Sequence, residues 1–170
     1  AARAIADDIQ GYLHIGAGRF HPLGLAATTG KPIVTANPYT METQLLPERE
    51  VKVLAMKRMA AIHAARNAQT WGILVSTKPG QCHIPMARRF QRLLTEHGRQ
   101  ASIILLDMIT SDALANFTEP QAYVDTACPR IAIDNPPDTT RPTLTPNEVL
   151  ISLNKKTWED SWAKGYLETS

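Results

Sequence analysis

The chain has 170 residues, 44% of them apolar and 20% charged, and a formal net charge of +2. This describes a globular chain of one or two small domains, able to bury ~70% of the surface its unfolded form exposes, and it excludes disorder and a strongly basic nucleic-acid-binding protein. Its two cysteines are too few for a disulfide scaffold, and its densest apolar run, Ala101 to Leu106, is too short to span a bilayer.

Ala1 to Gln10 carries two aspartates and no apolar core, so no secretory signal is expected there. Tyr12-Leu13-His14-Ile15 reads as a short strand closed by the tight loop Gly16-Ala17-Gly18. Leu23, Leu25, Ala26 and Ala27 predict a short helix ended by Gly30, and Pro32 to Ala36 a second strand closed by Asn37-Pro38. Two strands joined by a helix make a βαβ unit, which pairs its strands in parallel. Residues 48–68 are the clearest helix. Val51, Leu54, Ala55, Met59, Ile62 and Ala65 share a face, Pro47 precedes it, and Glu48 and Glu50 occupy the first turn. Lys52, Lys57, Arg58 and Arg66 are read as its solvated side.

A second α/β stretch follows. Trp71 to Thr77 is a buried strand running into Lys78-Pro79-Gly80-Gln81. Pro85 suits the first turn of a helix whose inner stripe is Met86, Phe90, Leu93, Leu94 and His97, ended by Gly98. Ser102 to Leu106 and Ala122 to Ala127 are strands, and Ser111 caps a short helix between them. The second of these strands leads into Cys128-Pro129-Arg130, and Ile131-Ala132-Ile133 reads as a further extended run. Pro136 to Pro146 is a wandering surface segment. Glu148 to Leu153 is a last regular piece, and the aromatic tail from Trp158 to Tyr166 is expected to pack on the body. The fold class is thus α/β, two similar small parallel-sheet βαβ units, with residues 1–68 forming one portion and 69–170 the other.

Ligands of open α/β sheets bind beyond the carboxyl ends of parallel strands. Four loops leave strands in that sense, and together they carry Arg19, His21, Lys78, Gln81, Cys128 and Arg130. That set suits an anionic or zwitterionic small molecule. The first loop, Gly-x-Gly-x-x-His, lacks the third glycine of a dinucleotide fingerprint, so a tight turn is its plainer reading. Cys82 and Cys128 have no Cys-x-x-Cys and no histidine at metal spacing, which argues against zinc. Cys82 reads as a small buried hydrophobe. Cys128 stands where a strand gives way to a proline, with an arginine that favours thiolate two residues on.

Four strings, Gly16-Ala17-Gly18-Arg19-Phe20-His21-Pro22, Ser76-Thr77-Lys78-Pro79-Gly80-Gln81, Thr126-Ala127-Cys128-Pro129-Arg130-Ile131-Ala132-Ile133-Asp134 and Leu144-Thr145-Pro146-Asn147-Glu148, resemble the archaeal diphthamide biosynthesis family in the family's own order. The family comprises radical-forming 3-amino-3-carboxypropyltransferases related to the eukaryotic first and second diphthamide proteins. Ala17 stands where the family more often has Gly or Asp.

The resemblance implies the second and third of three similar α/β domains in a protein about twice this length. It implies a [4Fe–4S] cluster held by one cysteine per domain, with an open iron for S-adenosylmethionine. It also implies transfer of the aminocarboxypropyl group to a histidine of translation elongation factor two, the first step toward diphthamide, in the cytoplasm. By position Cys128 matches the third-domain iron ligand, and the second-domain cysteine would lie upstream of Ala1. Gly18, Arg19, His21, Gln81, Arg130 and Asp134 are the candidates for holding S-adenosylmethionine, whose carboxylate suits an arginine fork. The partners implied are the elongation factor, an N-terminal half or partner chain, and a second copy of the chain, with neither membrane nor nucleic acid. Two other readings follow from the ligand count and the fold. One is a non-catalytic docking partner or degenerate fragment of that enzyme. The other is an unrelated small-molecule-binding α/β enzyme with Cys128 as nucleophile.

Overall fold

The computed structural model describes residues 2–134 and 140–163. After a 3-10 turn over Ala2–Asp8, the elements are β1 (Tyr12–Ile15), α1 (Phe20–Thr29), β2 (Ile33–Asn37), β3 (Glu42–Leu45), α2 (Glu48–Ala65), β4 (Thr70–Ser76), α3 (Ile84–Glu96) and β5 (Gln100–Leu106). Then come α4 (Ser111–Ala115), β6 (Ala122–Asp125), α5 (Pro129–Ile133), β7 (Thr143–Leu144), α6 (Pro146–Ser152) and α7 (Trp158–Ala163). The chain forms two compact units that divide inside α2, between Lys57 and Arg58. Residues 157–163 belong to the first unit.

The first unit has a three-stranded sheet in the order β1-β2-β3. β1 and β2 pair in parallel around α1, as a βαβ unit requires. α1 ends as its sequence predicts. Gly30 takes a left-handed conformation (φ 66°) that a side chain would resist, and its N–H caps the carbonyl of Ala26. β3 departs from the sequence reading. Glu42-Thr43-Gln44-Leu45 lacks the apolar alternation that marks a strand, and all four residues are exposed. It forms instead by antiparallel pairing to β2, Val34 opposite Leu45 and Asn37 opposite Glu42. Leu13, Val34 and Leu45 lie in register across one face with Ile15 beside them, and they are 63%, 39%, 61% and 69% exposed. α7 packs on α1, with Trp158 and Trp162 stacked at 4.8 Å, and Tyr166 lies outside the described residues.

The second unit is a four-stranded, wholly parallel sheet in the order β5-β4-β6-β7. β4 is central, and every residue from Trp71 to Ser76 is buried, which fits a strand covered on both faces. Gly72 lets that strand approach Tyr123, since a Cβ there would stand 2.7 Å from the Tyr123 ring. Leu74, Ile104, Leu114 and Tyr123 form one core cluster, closed by Leu106, Ile109 and Phe117. α3 buries Ala87, Phe90 and Leu94, a narrower stripe than predicted, and His97 is exposed at its end.

Three further readings are corrected. Ile131-Ala132-Ile133 is not extended but lies in α5. The alternation of β-branched residues misled, and Pro129 at the first helical position was the stronger signal. Arg58 is not solvated. It is 5% exposed and follows Leu54, four residues on, along the buried stripe of α2 that continues through Ile62 and Ala65. Met59, placed on the inner face, is 51% exposed. Of the segment 136–146, residues 136–139 lie outside the described residues. Among the described residues no helix is long and apolar enough to cross a membrane.

Candidate functional site

The sequence-predicted residues lie beyond the carboxyl ends of parallel strands, on loops and on the helices that follow them, in two sets, one per unit. In the first unit the loop after β1 runs through Gly16 and Gly18, both at positive φ (154° and 92°), into Arg19 at the start of α1. The Arg19 guanidinium lies 3.7 Å from Glu50, and its Nη1 is buried without a hydrogen-bond partner. His21 is exposed, and its ring stacks on that of His14 at 6.3 Å. His14 Nδ1 is also buried and unpartnered. The unmatched Arg19 Nη1 beside a glycine loop gives this end of the sheet an unused donor suited to an anion.

In the second unit the loops after β4 and β6 leave adjacent parallel strands. The β4 loop is braced by Ser76, whose hydroxyl donates to the Asp107 carbonyl (3.1 Å) and accepts from the Lys78 N–H (3.2 Å). Gly80 turns it at φ 77°, and the Gln81 N–H closes on the Lys78 carbonyl at 3.0 Å. The β6 loop is held by Thr126, whose hydroxyl donates to the Leu74 carbonyl at 2.8 Å. Cys128 caps α5 in an extended conformation (φ −145°, ψ 121°) and is half-buried, while Cys82 is exposed rather than buried as predicted. One turn on, Arg130 Nε donates to Asp134 Oδ2 at 3.1 Å. Both side chains are partly exposed, so this pair contributes little to stability.

The group that fixes Cys128 is Asp125, the last residue of β6 and 2% exposed. Its Oδ1 accepts from the backbone N–H of Ala127 (2.9 Å) and of Cys128 (3.2 Å), while Oδ2 is buried without a hydrogen bond. Burial pushes its carboxyl up to about 6, opposed by the N–H groups of Ala127, Cys128 and Ala132 and by the charge of Arg58. A carboxyl that holds its proton more tightly folded than unfolded contributes stability fully below its unfolded value and loses it as pH rises through the folded one. The window is about pH 4 to 6, and ~3 kcal/mol is at stake at ~1.4 kcal/mol per unit. We expect Asp125→Asn to flatten the pH dependence of urea-unfolding free energy across that window. Parallel wild-type and variant profiles would contradict this.

Sequence reasoning missed Arg58, Asp125 and the buried Glu148. Arg58 Nε and Nη2 donate to the two carboxylate oxygens of Glu148 (2.8 and 2.6 Å), Nη1 to the Ala132 carbonyl (2.6 Å) and Nη2 also to the Thr143 carbonyl (2.8 Å). The spacing of Leu54, Arg58 and Ile62 on one helical stripe was the available signal for Arg58. Thr145 and Glu148 form a capping box at the start of α6, a pattern legible as Thr-x-x-Glu.

The donor set does not fit an iron–sulfur cluster by itself. Among the described residues no group of three or more His, Cys, Asp or Glu side chains is arranged to hold a metal, and Cys128 brings a single thiolate. Among the described residues no base is hydrogen-bonded to Cys128 Sγ. A cavity of about 660 Å³ in the first unit, beside Lys31, Lys52 and Trp162, is lined by the start of β2 and the end of β3 and contains none of the predicted site residues.

Known proteins resemble this chain along nearly its whole length. The family model described as "Putative diphthamide synthesis protein" matches residues 1–163. A Pyrococcus horikoshii protein named 2-(3-amino-3-carboxypropyl)histidine synthase is 41% identical over 145 residues, which are 85% of this chain and 41% of that protein. A Yarrowia lipolytica protein named subunit 1 of that synthase is 29% identical over 94% of this chain and 36% of its own length. The crystal structure of Dph2 from Pyrococcus horikoshii with a 4Fe-4S cluster superposes with a TM-score of 0.76 at 38% identity, covering 87% of this chain and 42% of that one. The chain therefore spans about two fifths of the length of these archaeal relatives. Because the family model spans residues 1–163 and the Pyrococcus horikoshii relative is 41% identical over 85% of the chain, the chain belongs to the diphthamide synthesis protein family.

Proposed function

We propose that this chain is part of a 2-(3-amino-3-carboxypropyl)histidine synthase, the transferase that modifies a histidine of translation elongation factor two in the first step of diphthamide formation. The observation that carries this reading is Cys128, a half-buried thiol without a disulfide at the carboxyl edge of a parallel sheet, inside the family's most specific string. In the complete enzyme Cys128 supplies one thiolate to the [4Fe–4S] cluster, and polypeptide beyond these 170 residues supplies the others. The candidates for contacts to S-adenosylmethionine are Gly18, Arg19 and His21 in the first unit and Gln81, Arg130 and Asp134 in the second. The unpartnered Arg19 Nη1 supports a carboxylate contact there. In this reading the enzyme is cytoplasmic.

The remainder of the family fold covers the apolar face formed by Leu13, Ile15, Val34 and Leu45. A contiguous exposed apolar face marks a surface that packs against further protein, and more than half of each archaeal relative lies beyond the region matched here. A second copy of the chain is the competing occupant.

Reconstitution with iron and sulfide, without oxygen, tests the ligand count. The isolated chain is expected to remain nearly colourless at about 400 nm. Mixed with the N-terminal part of the Pyrococcus horikoshii relative, it is expected to co-sediment and develop the absorbance of a cluster. A stoichiometric cluster on the monomeric chain, or none on the completed pair, would overturn the proposal.

A further inference from the structure

The helix that begins beside Cys128 is only five residues long. A helix of one turn and a half has no stability of its own, so its place is set by what holds its ends. Both ends of α5 are held by buried charged side chains. At the front, Asp125 Oδ1 accepts from the N–H groups of Ala127 and Cys128. At the back, Arg58 Nη1 donates to the Ala132 carbonyl at 2.6 Å. Arg58 is anchored in turn. Its other donors meet Glu148 and the Thr143 carbonyl, and Glu148 Oε2 accepts from the Thr145 N–H at 2.7 Å. Arg58, Asp125 and Glu148 are 5%, 2% and 0% exposed.

A buried ion pair is a poor device for stability alone, because apolar replacements of similar volume often do as well. Its directional bonds are better suited to fixing geometry. The fork here ties α2, β7 and α6 to the helix that carries Cys128. We infer that Arg58 and Asp125 are positioning residues for the Cys128 thiol, gripping α5 at its two ends so that Sγ is held in one place before any ligand arrives. The importance of that placement rests on the reading of Cys128 as an iron ligand, whereas the clamp itself is a property of the apoprotein.

The test is alkylation of the metal-free chain with iodoacetamide, followed site by site by mass spectrometry. It is run at a pH high enough that both thiols are ionised, so that rates report access rather than thiolate fraction. Cys82, exposed and on another loop, is the internal control. Asp125→Ala removes the acceptor for the Cys128 loop. The pair Arg58→Met with Glu148→Gln removes the fork without stranding a charge at position 148 and keeps a capping side chain there. Each is expected to accelerate Cys128 about fivefold or more, with Cys82 within about twofold of wild type. Asp125→Asn keeps an acceptor oxygen and is expected to restore the slow rate. Should the double variant not fold, Arg58→Lys takes its place, since one ammonium cannot reach the same three partners.

Leu94→Ala, a core change in α3, provides a variant of lowered melting temperature with the clamp intact. If it accelerates Cys128 as much as the clamp variants do, or if those variants leave Cys128 unchanged, the inference fails. Iron plays no part in these measurements, so their outcome is separable from that of the reconstitution.

Discussion

Arg58→Met is expected to destabilise the chain by about 3–5 kcal/mol, the largest effect of any single polar substitution here. The substituted side chain fills much of the same space, so the loss is electrostatic. Glu148, fully buried, keeps its charge and loses both donors from the fork. The carbonyls of Ala132 and Thr143 lose theirs as well. An unpaired buried carboxylate retains its whole desolvation cost, and a domain of this size has only about 5–15 kcal/mol of net stability. Adding Glu148→Gln removes the stranded charge and should recover about half of the loss. By contrast the exposed Lys52–Glu48 pair, at 3.7 Å, should tolerate Lys52→Met within about 0.5 kcal/mol. Urea-unfolding midpoints decide the matter. A single variant within about 1 kcal/mol of wild type, or a double variant no better than the single, would show that Arg58 and Glu148 are not coupled.

Arg58 also shows where sequence reading ends. An arginine among lysines on an amphipathic helix is ordinarily solvated, and only the stripe through Leu54 and Ile62 says otherwise. Its partner Glu148 lies 90 residues away, and no local pattern announces such a pair. Elements with strong local signals were legible: β1, the stop of α1 at Gly30 and the buried run of β4. β3 was not, because its strand state comes from hydrogen bonds to β2 and not from its own composition. α5 was not, because five residues with three β-branched or small side chains carry no periodicity.

The candidate site divides in the same way. The glycine loop, Gln81 and Cys128 could be placed at strand ends from the order of strands and turns, since parallel topology sends each sheet's loops to its own carboxyl edge. The carboxylate beneath Cys128 could not. Asp125 reads as the end of a strand, and only the chain's return over it reveals two backbone N–H groups turned onto Oδ1. The groups that announce themselves in sequence are those that would touch a ligand. The groups that hold them are ordinary residue types made special by burial.

In an enzyme completed with the N-terminal part of the Pyrococcus horikoshii relative, Cys128→Ser is expected to lose iron and aminocarboxypropyl transfer together while the circular dichroism spectrum stays as in wild type. Serine is nearly isosteric with cysteine, and the position is half-buried at a helix cap, where a hydroxyl is readily accommodated. The fold therefore has little reason to change, with a cost of at most ~1 kcal/mol. The iron does, because a hard alkoxide replaces the soft thiolate that iron–sulfur clusters require. Cys82→Ser is the matched control. Cys82 is exposed on the loop before α3 and should keep iron, transfer and stability. The pair of variants separates three roles for Cys128. A thiol that merely packs would cost a little stability in Cys128→Ser and leave transfer intact. A nucleophile of a different enzyme would lose activity at unchanged iron content. Only an iron ligand loses iron, loses transfer and keeps its fold, and a Cys128→Ser enzyme with full iron and full turnover would remove the thiol from the proposed site altogether.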